Sequence, residues 1–454
     1  MKNVFRLNRR PLVLLSLSIF LSVARASAQG PAPETAPPSP DTGLASQNSS
    51  FSRRGPIGGA SGNISGTQQT PLRELIQQLE RGNPSVMAGQ KAYEASRYEA
   101  KQASALPETD LTVQHLSVGS PRPFAGYTNS DFAYIGFGAS QEFPFPGKRK
   151  LRGEVAEGGS EETRISADVI RQDAIQKLKL SYIQLAYFQQ TLTLLEENNR
   201  SLGDIEEIVE SRYRVGQGNQ QEILKAQLQH TRILNEITMH HREVALLQAD
   251  IKALLNRPQD SDDIVAEPLA ATSIEKLPDI NQGIELQSKR AQMAETDTAS
   301  HLAKLEAKPD FNVQYMWQHT DDKFRDYYML TFGIRLPNQS RAKAAIAEAN
   351  LKRQQVQAEY EAANRELESE AQKQLVLIRT SDEQLSIYRE GLIPQSTATL
   401  RAATASYESG KQDFETLIAA FIDVLQLKIE FQRELAERES AVARLERLTG
   451  VTLR

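Results

Sequence analysis

Cysteine is absent from all 454 residues. Disulfide staples, thiolate metal sites and cysteine nucleophiles are therefore excluded, as is a lipid anchor on an N-terminal cysteine. After the N-terminus, no apolar run reaches the roughly 18 residues of a membrane-spanning helix, which excludes a helical membrane protein. Tryptophan occurs once and histidine six times. There is no His-Glu-x-x-His, no Gly-x-Ser-x-Gly and no Walker loop. Gly136-Phe137-Gly138 lacks the third glycine and the following helix of a dinucleotide site. The chain is read as a non-enzyme without a cofactor. Positive charge is short as well: 53 Lys and Arg face 58 Asp and Glu, for a formal charge of −5. With no clustered basic face, nucleic acid is not expected as a partner.

Hydrophobic residues make up 39% of the chain and mean hydropathy is −0.48, so most of the surface meets water. The N-terminus is the exception. Lys2, Arg6, Arg9 and Arg10 precede the apolar run Pro11 to Val23, and Ala26-Ser27-Ala28 follows it. This is the pattern of a cleaved export signal over residues 1–28. Its removal takes away five basic residues and no acidic one, which lowers the formal charge to −10. Residues 29–70 are rich in Pro, Gly and Ser and read as a flexible linker.

The clearest β signal lies at 310–319 and 327–336. Phe311, Val313, Tyr315 and Trp317 alternate with polar neighbours, and Tyr328, Leu330, Phe332 and Ile334 do so in the second arm. A period of two sorts them onto one face of a hairpin. On alternation alone a soluble half-buried hairpin is the favoured reading, since soluble sheets are commoner and barrel signals are weak in any one segment. Each arm nevertheless has about the 9–11 residues of a tilted membrane strand. A second strand pair is expected at about 110–119 and 131–143. The phase slips between Val113 and Leu116, which predicts a bulge or a ragged end.

Long helical patterns follow each pair, at about 150–213 and 220–256, then 340–407 and 413–449. Pro394 predicts a kink in the third of them. Landmarks recur between the halves. Asp110-Leu111-x-Val113-Gln114 matches Asp310-Phe311-x-Val313-Gln314, Phe137-Gly138 matches Phe332-Gly333, and Tyr213-x-x-Gly216 matches Tyr407-x-x-Gly410. The expected organisation is two structural repeats, 71–258 and 279–454, around a connector at 259–278.

Four strands cannot close a membrane barrel, since the smallest have about eight. An open edge in lipid leaves costly unpaired backbone groups. Strands of this kind in a membrane require oligomerisation, and three copies supply twelve strands. Repeats of helix, strand pair, long helix, Tyr-x-x-Gly turn and return helix resemble the TolC-like outer membrane efflux family. Gln141-Glu142-Phe143-Pro144-Phe145-Pro146-Gly147-Lys148-Arg149 resembles the strand-to-helix exit of its heavy-metal and cation branch, with Pro144, Pro146, Gly147, Lys148 and Arg149 forming the turn. The resemblance implies a mixed α/β membrane protein. Its homotrimer would form a 12-stranded barrel in outer membrane lipid, continued by an α-helical barrel in the periplasm of a Gram-negative-type bacterium. It further implies a periplasmic adaptor and an inner-membrane pump as partners. Two other readings stand beside it: a soluble periplasmic coiled-coil scaffold, and the outer membrane part of a type I protein secretion system.

The resemblance also implies adaptor-contacting tips at Tyr213, Val215, Gly216, Gln217 and Gly218, and at Tyr407, Ser409, Gly410, Lys411 and Gln412. Glu222, Asp413 and Glu415 are gate candidates, because carboxylates gathered by symmetry attract cations. Helix capping explains carboxylates at these positions equally well. Met239-His240-His241 is the one soft-ligand cluster, and His230 and His241 could share a helix face. Solvated surface histidines are the preferred reading, and no metal site is expected.

Overall fold

The computed structural model describes residues 69–117, 133–274, 280–320 and 325–452. The expected export signal and all but the last two residues of the expected linker lie outside them, as do part of the connector and the loop joining the first strand pair.

Helix α1 (Leu72–Gly82) follows Pro71, and α2 (Pro84–Ser104) begins one residue beyond Asn83. The Asn83 side chain accepts the amides of Ser85 and Val86 at 2.9 and 3.2 Å and donates to Leu254 O at 2.9 Å. Pro84 sits at the first helical position, where its missing N–H costs nothing.

Strands β1 (Thr109–Leu116), β2 (Tyr134–Phe143), β3 (Asp310–His319) and β4 (Tyr327–Arg335) form one antiparallel sheet in the order β1-β2-β3-β4. Pairing of β1 with β2 is continuous from Thr109↔Gln141 to Leu116↔Tyr134, so the expected bulge is absent. The slip in alternation is simply the end of the strand. The β2 strand starts at Tyr134, short of the expected 131, and Leu336 lies beyond the end of β4.

The register decides the faces. Phe311 pairs with Ile334, Val313 with Phe332, Tyr315 with Leu330 and Trp317 with Tyr328, so all eight side chains share one side. Across β2 and β1 that side continues through Phe143, Ala139, Phe137 and Ile135 to Leu111 and Val113. Phe137 and Trp317 stack with centroids 5.8 Å apart. The other side carries Thr112, Gln114, Gly136, Gly138, Ser140, Asn312, Gln314, Gln318 and Thr331. The apolar side is open to the surroundings, with Phe332 73% exposed and Leu111 80% exposed.

Helix α3 (Lys148–Arg214) has 67 residues, about 100 Å at 1.5 Å per residue. It takes in Lys148 and Arg149, which the sequence reading placed in the preceding turn. The turn itself is held by polar contacts. Lys148, 1% exposed, donates through Nζ to Asp310 Oδ1 and Lys308 O, both at 2.8 Å. Asp310 Oδ1 also accepts the Phe145 amide at 2.8 Å. Arg149 caps α2 by donating to Ser104 O at 3.0 and 3.1 Å. Gly147, at φ +95°, makes the reversal that a β-carbon would strain.

Helix α4 (Gln220–Leu254) packs mainly on α3. A 3-10 turn (Ile280–Gln282) and α5 (Ile284–Glu306) lead into β3. After β4, α6 (Gln339–Ile387) passes through a π-helical turn (Tyr388–Leu392) into α7 (Ile393–Glu408). The interruption expected at Pro394 is this widened turn. Proline lacks one backbone donor and crowds the preceding turn, and i→i+5 bonding absorbs both without breaking the helix.

Helix α8 (Phe414–Thr449) returns, capped by Asp413 at one end and by Gly450 at φ +71° at the other. Its Phe421, Val424, Leu435, Val442 and Leu445 are buried. One apolar core joins α1, α3 and α4 to Ile264 and Ala266 of the connector. Another lies toward the two hairpin turns and gathers Leu202, Ile205, Val209, Ile233, Phe414, Leu417 and Phe421. Polar clamps hold the connector. Gln248 exchanges bonds with both backbone groups of Ile264, and Glu439 accepts from Thr272 N and Oγ1 at 2.9 and 2.6 Å.

Candidate functional site

The helix-hairpin turns end on the same local bonds. In the first, Gly216 N donates to Tyr213 O at 3.0 Å and Gln217 N to Arg212 O at 2.9 Å. In the second, Gly410 N donates to Tyr407 O at 3.0 Å and Lys411 N to Ser406 O at 2.9 Å. Gly216 and Gly410 have φ of +73° and +71°, the left-handed conformation this motif needs. Local sequence is sufficient to write both turns.

The two tyrosines do not share a fate. Tyr213 is 45% exposed, while Tyr407 is 1% exposed. The Tyr407 hydroxyl donates to Glu222 Oε2 on α4 at 2.8 Å, and its ring meets Phe414 edge-on with centroids 5.9 Å apart. Burial pushes the phenol well above its ordinary range, and the Glu222 carboxylate adds to the effect. It stays a neutral donor at any physiological pH.

Arg212 closes the other side. Its guanidinium lies 4.5 Å from the centre of the Tyr407 ring. It donates through Nη1 to Tyr407 O and through Nη2 to Gln217 O, the latter at 3.3 Å. One cation thus ties the end of α3, the first turn and the end of α7 together. Lys225 on α4 adds an ion pair with Glu415 on α8.

Every gate candidate is occupied within the chain. Asp413 Oδ1 accepts Thr416 N at 3.0 Å and Thr416 Oγ1 at 2.6 Å, which holds its carboxyl below the ordinary range. It is the N-cap of α8. Glu222 holds Tyr407, and Glu415 faces Lys225. Val215 is 67% exposed, and Gln217, Ser409, Lys411 and Gln412 sit on the open side of the turns. Val215 to Gly218 and Ser409 to Gln412 therefore offer a short exposed rim, whereas Tyr407 does not.

Arg212 and Lys225 were not singled out in the sequence. The available signal was position: Arg212 directly precedes the first Tyr-x-x-Gly turn, and Lys225 lies one helical turn after Glu222. The histidines do not converge. His230 Nδ1 lies 3.6 Å from Glu206, His240 packs edge-on against Phe188 at 5.3 Å, and His241 lines a cavity with Gln189 and Gln248. Among the described residues no cluster of His, Asp and Glu is arranged to hold a metal.

Residues 75–257 match the profile of the outer membrane efflux protein family. No curated protein sequence matches the chain. Among solved structures, the outer membrane protein VceC of Vibrio cholerae is 16% identical, with a TM-score of 0.72 over 84% of this chain and 97% of that one. The CmeC outer membrane channel of Campylobacter jejuni is 13% identical, with a TM-score of 0.71 over 90% and 94%. The open-state MtrE outer membrane channel of Neisseria gonorrhoeae is 16% identical, with a TM-score of 0.72 over 84% and 89%. At these identities the structures speak for the fold.

Proposed function

We infer that the chain is an outer membrane efflux channel of the family whose profile matches residues 75–257, and that three copies close a single conduit. The observation that carries this reading is the sheet. It has two unpaired edges, β1 and β4, and an apolar side facing outward. Pairing β4 of one copy with β1 of the next removes every edge at twelve strands, which backbone groups in lipid demand. Phe311, Val313, Tyr315, Trp317, Tyr328, Leu330, Phe332 and Ile334 then face lipid, and the Gln, Asn, Thr and Gly side lines the water-filled passage. The helices support the same closure. Helix α4 packs mainly on α3 and α7 mainly on α8, so each keeps a free flank for a neighbouring copy. Leu224, Leu228 and Leu246 lie exposed on α4.

In this reading residues 71–258 and 279–454 are two versions of one unit joined by the 259–278 connector. The conduit receives its cargo from an inner-membrane pump through a periplasmic adaptor, which docks on the exposed rim of the turns. The fastening of Tyr407 by Arg212 and Glu222 holds that end closed. The gate is thus a mechanical fastening with carboxylates as its acceptors, in place of a free acidic ring. Detergent-extracted protein should run at three times the chain mass and remain with membranes through carbonate washing. A monomer, or protein released by carbonate, would end the reading.

A further inference from the structure

We propose that neighbouring copies join in one register: Arg335, Ile334 and Gly333 of β4 pair with Gln114, His115 and Leu116 in β1 of the next copy. This seam rests on the three-copy conduit above, which leaves the fit of its edges open. Two ladders inside the chain carry the assignment. In sequence, Asp110-Leu111-x-Val113-Gln114 of β1 matches Asp310-Phe311-x-Val313-Gln314 of β3, and Phe137-Gly138 of β2 matches Phe332-Gly333 of β4. In the folded sheet, Val113 pairs with Phe137 and Val313 with Phe332, while Asp110 pairs with Ser140 and Asp310 with Arg335. The two hairpins therefore agree pair for pair, and each paired residue of the first has a definite counterpart in the second.

The junction between the hairpins then serves as the template. There Ser140 pairs with Gln314, Ala139 with Tyr315 and Gly138 with Met316. The counterparts of Ser140, Ala139 and Gly138 are Arg335, Ile334 and Gly333; those of Gln314, Tyr315 and Met316 are Gln114, His115 and Leu116. Both edges are open to receive this pairing. The order β1-β2-β3-β4 leaves β1 and β4 with one neighbour each, and Ile334 and Leu116 are 64% and 45% exposed. Sidedness agrees as well: Arg335, Gly333, Gln114 and Leu116 lie on the passage side, Ile334 and His115 on the apolar side. A slip by one residue would put the apolar sides of two copies on opposite faces. Only shifts by two residues compete.

The register also sets the width of the passage. A ladder that starts at Asp110 runs through Ser140 to Gln314, four residues beyond its counterpart Asp310. Two hairpins in each of three copies continue this step, a stagger of two residues per strand. With about 3.4 Å per residue and about 4.8 Å between strands, the strands tilt by about 55°. Twelve of them then enclose about 31 Å from backbone to backbone, against about 24 Å at the more usual tilt of about 40°. Gly136, Gly138 and Gly333 face this passage without a side chain to narrow it. A bore of this width does not select among small molecules by size.

Disulfide trapping reads the seam directly, because the chain has no cysteine of its own. Strands β1 and β4 are the opposite edges of the sheet, so a bond between them joins two copies. Arg335→Cys is combined in turn with Thr112→Cys, Gln114→Cys and Leu116→Cys. In a second series Ile334→Cys is combined with Val113→Cys, His115→Cys and Ser117→Cys. Adjacent antiparallel pairs alternate between wide and narrow spacing, so one series or the other meets disulfide geometry. The second series also keeps the test decisive if a variant of the first does not assemble. Membranes carrying each variant are oxidised with copper phenanthroline and run denatured without reductant. Covalent dimer and trimer should peak at Arg335 with Gln114 or at Ile334 with His115, about fivefold above the shifted pairs of that series. A peak at a pair shifted by two residues would overturn the register and leave closure standing. No cross-link in either series, from protein that still runs as a native trimer, would overturn the seam itself. Absence of a trimer in the unmodified protein would end the conduit reading and the seam with it.

Discussion

Lys148 shows how far a single residue's role can depart from its residue type. A lysine in a Pro-Gly-Lys-Arg turn reads as a surface charge, yet it is nearly sealed among Asp310, Glu306 and two carbonyls. Its ammonium ties the start of α3 to the start of β3, joining the two halves of the chain. Lys148→Ala leaves the Asp310 carboxylate with the Phe145 amide alone. We expect a loss of about 3 kcal/mol, the scale for breaking a buried pair, seen as a lower melting temperature in detergent. Glu295 makes the opposite case. Burial first, and the nearby Glu162 carboxylate second, push its carboxyl above the ordinary range. The folded state therefore holds this proton more tightly than the unfolded chain does. Its contribution is fully present below the unfolded pKa and is lost as pH rises through the folded one. Glu295→Gln should raise the melting temperature at pH 7 by on the order of 1–2 °C and leave it unchanged near pH 4. A flat difference across that range would show that the charge is not the cause.

Among the elements, the hairpin turns separate what local chemistry controls from what it does not. The Tyr-x-x-Gly pattern writes the same backbone bonds twice, and both glycines take positive φ. Gly410→Ala should cost about 1–2 kcal/mol from the left-handed backbone alone, and its new methyl group would meet the Arg212 guanidinium at 3.6 Å. The same change at Gly216 finds open space and carries the backbone cost only. The 3.6 Å approach to Arg212 is ordinary van der Waals contact, so thermal melting should show about the same loss for the two variants. The asymmetry of the tyrosines was not legible, because it depends on which helix lies opposite each ring. Tyr407 meets α4 and α8, while Tyr213 faces outward. The π-turn was half legible: proline announced a disturbance, but only the bonding pattern of the folded helix tells a widened turn from a kink.

For the whole molecule, the sided sheet governs behaviour. If the apolar side meets lipid, a charge placed there is costly and one on the opposite side is not. Leu330→Arg should destabilise insertion by about 2–4 kcal/mol, the scale for a basic residue near the bilayer midplane, and should deplete trimer from the membrane fraction. Thr331→Arg, one residue on and on the other face, should leave trimer yield intact. Equal loss for both would mean that the faces are misassigned.

The chain's own order of residues determined the strands' sidedness, the length of the helices and the reversals at glycine. These follow from period, turn residues and composition, which act over a few neighbours at most. Tertiary structure alone decided that Lys148 is buried, that Tyr407 and not Tyr213 is clasped, and that Glu222 and Glu415 serve as acceptor and ion-pair partner. Each of these depends on contacts between segments more than a hundred residues apart, and no local pattern encodes which helix will lie opposite.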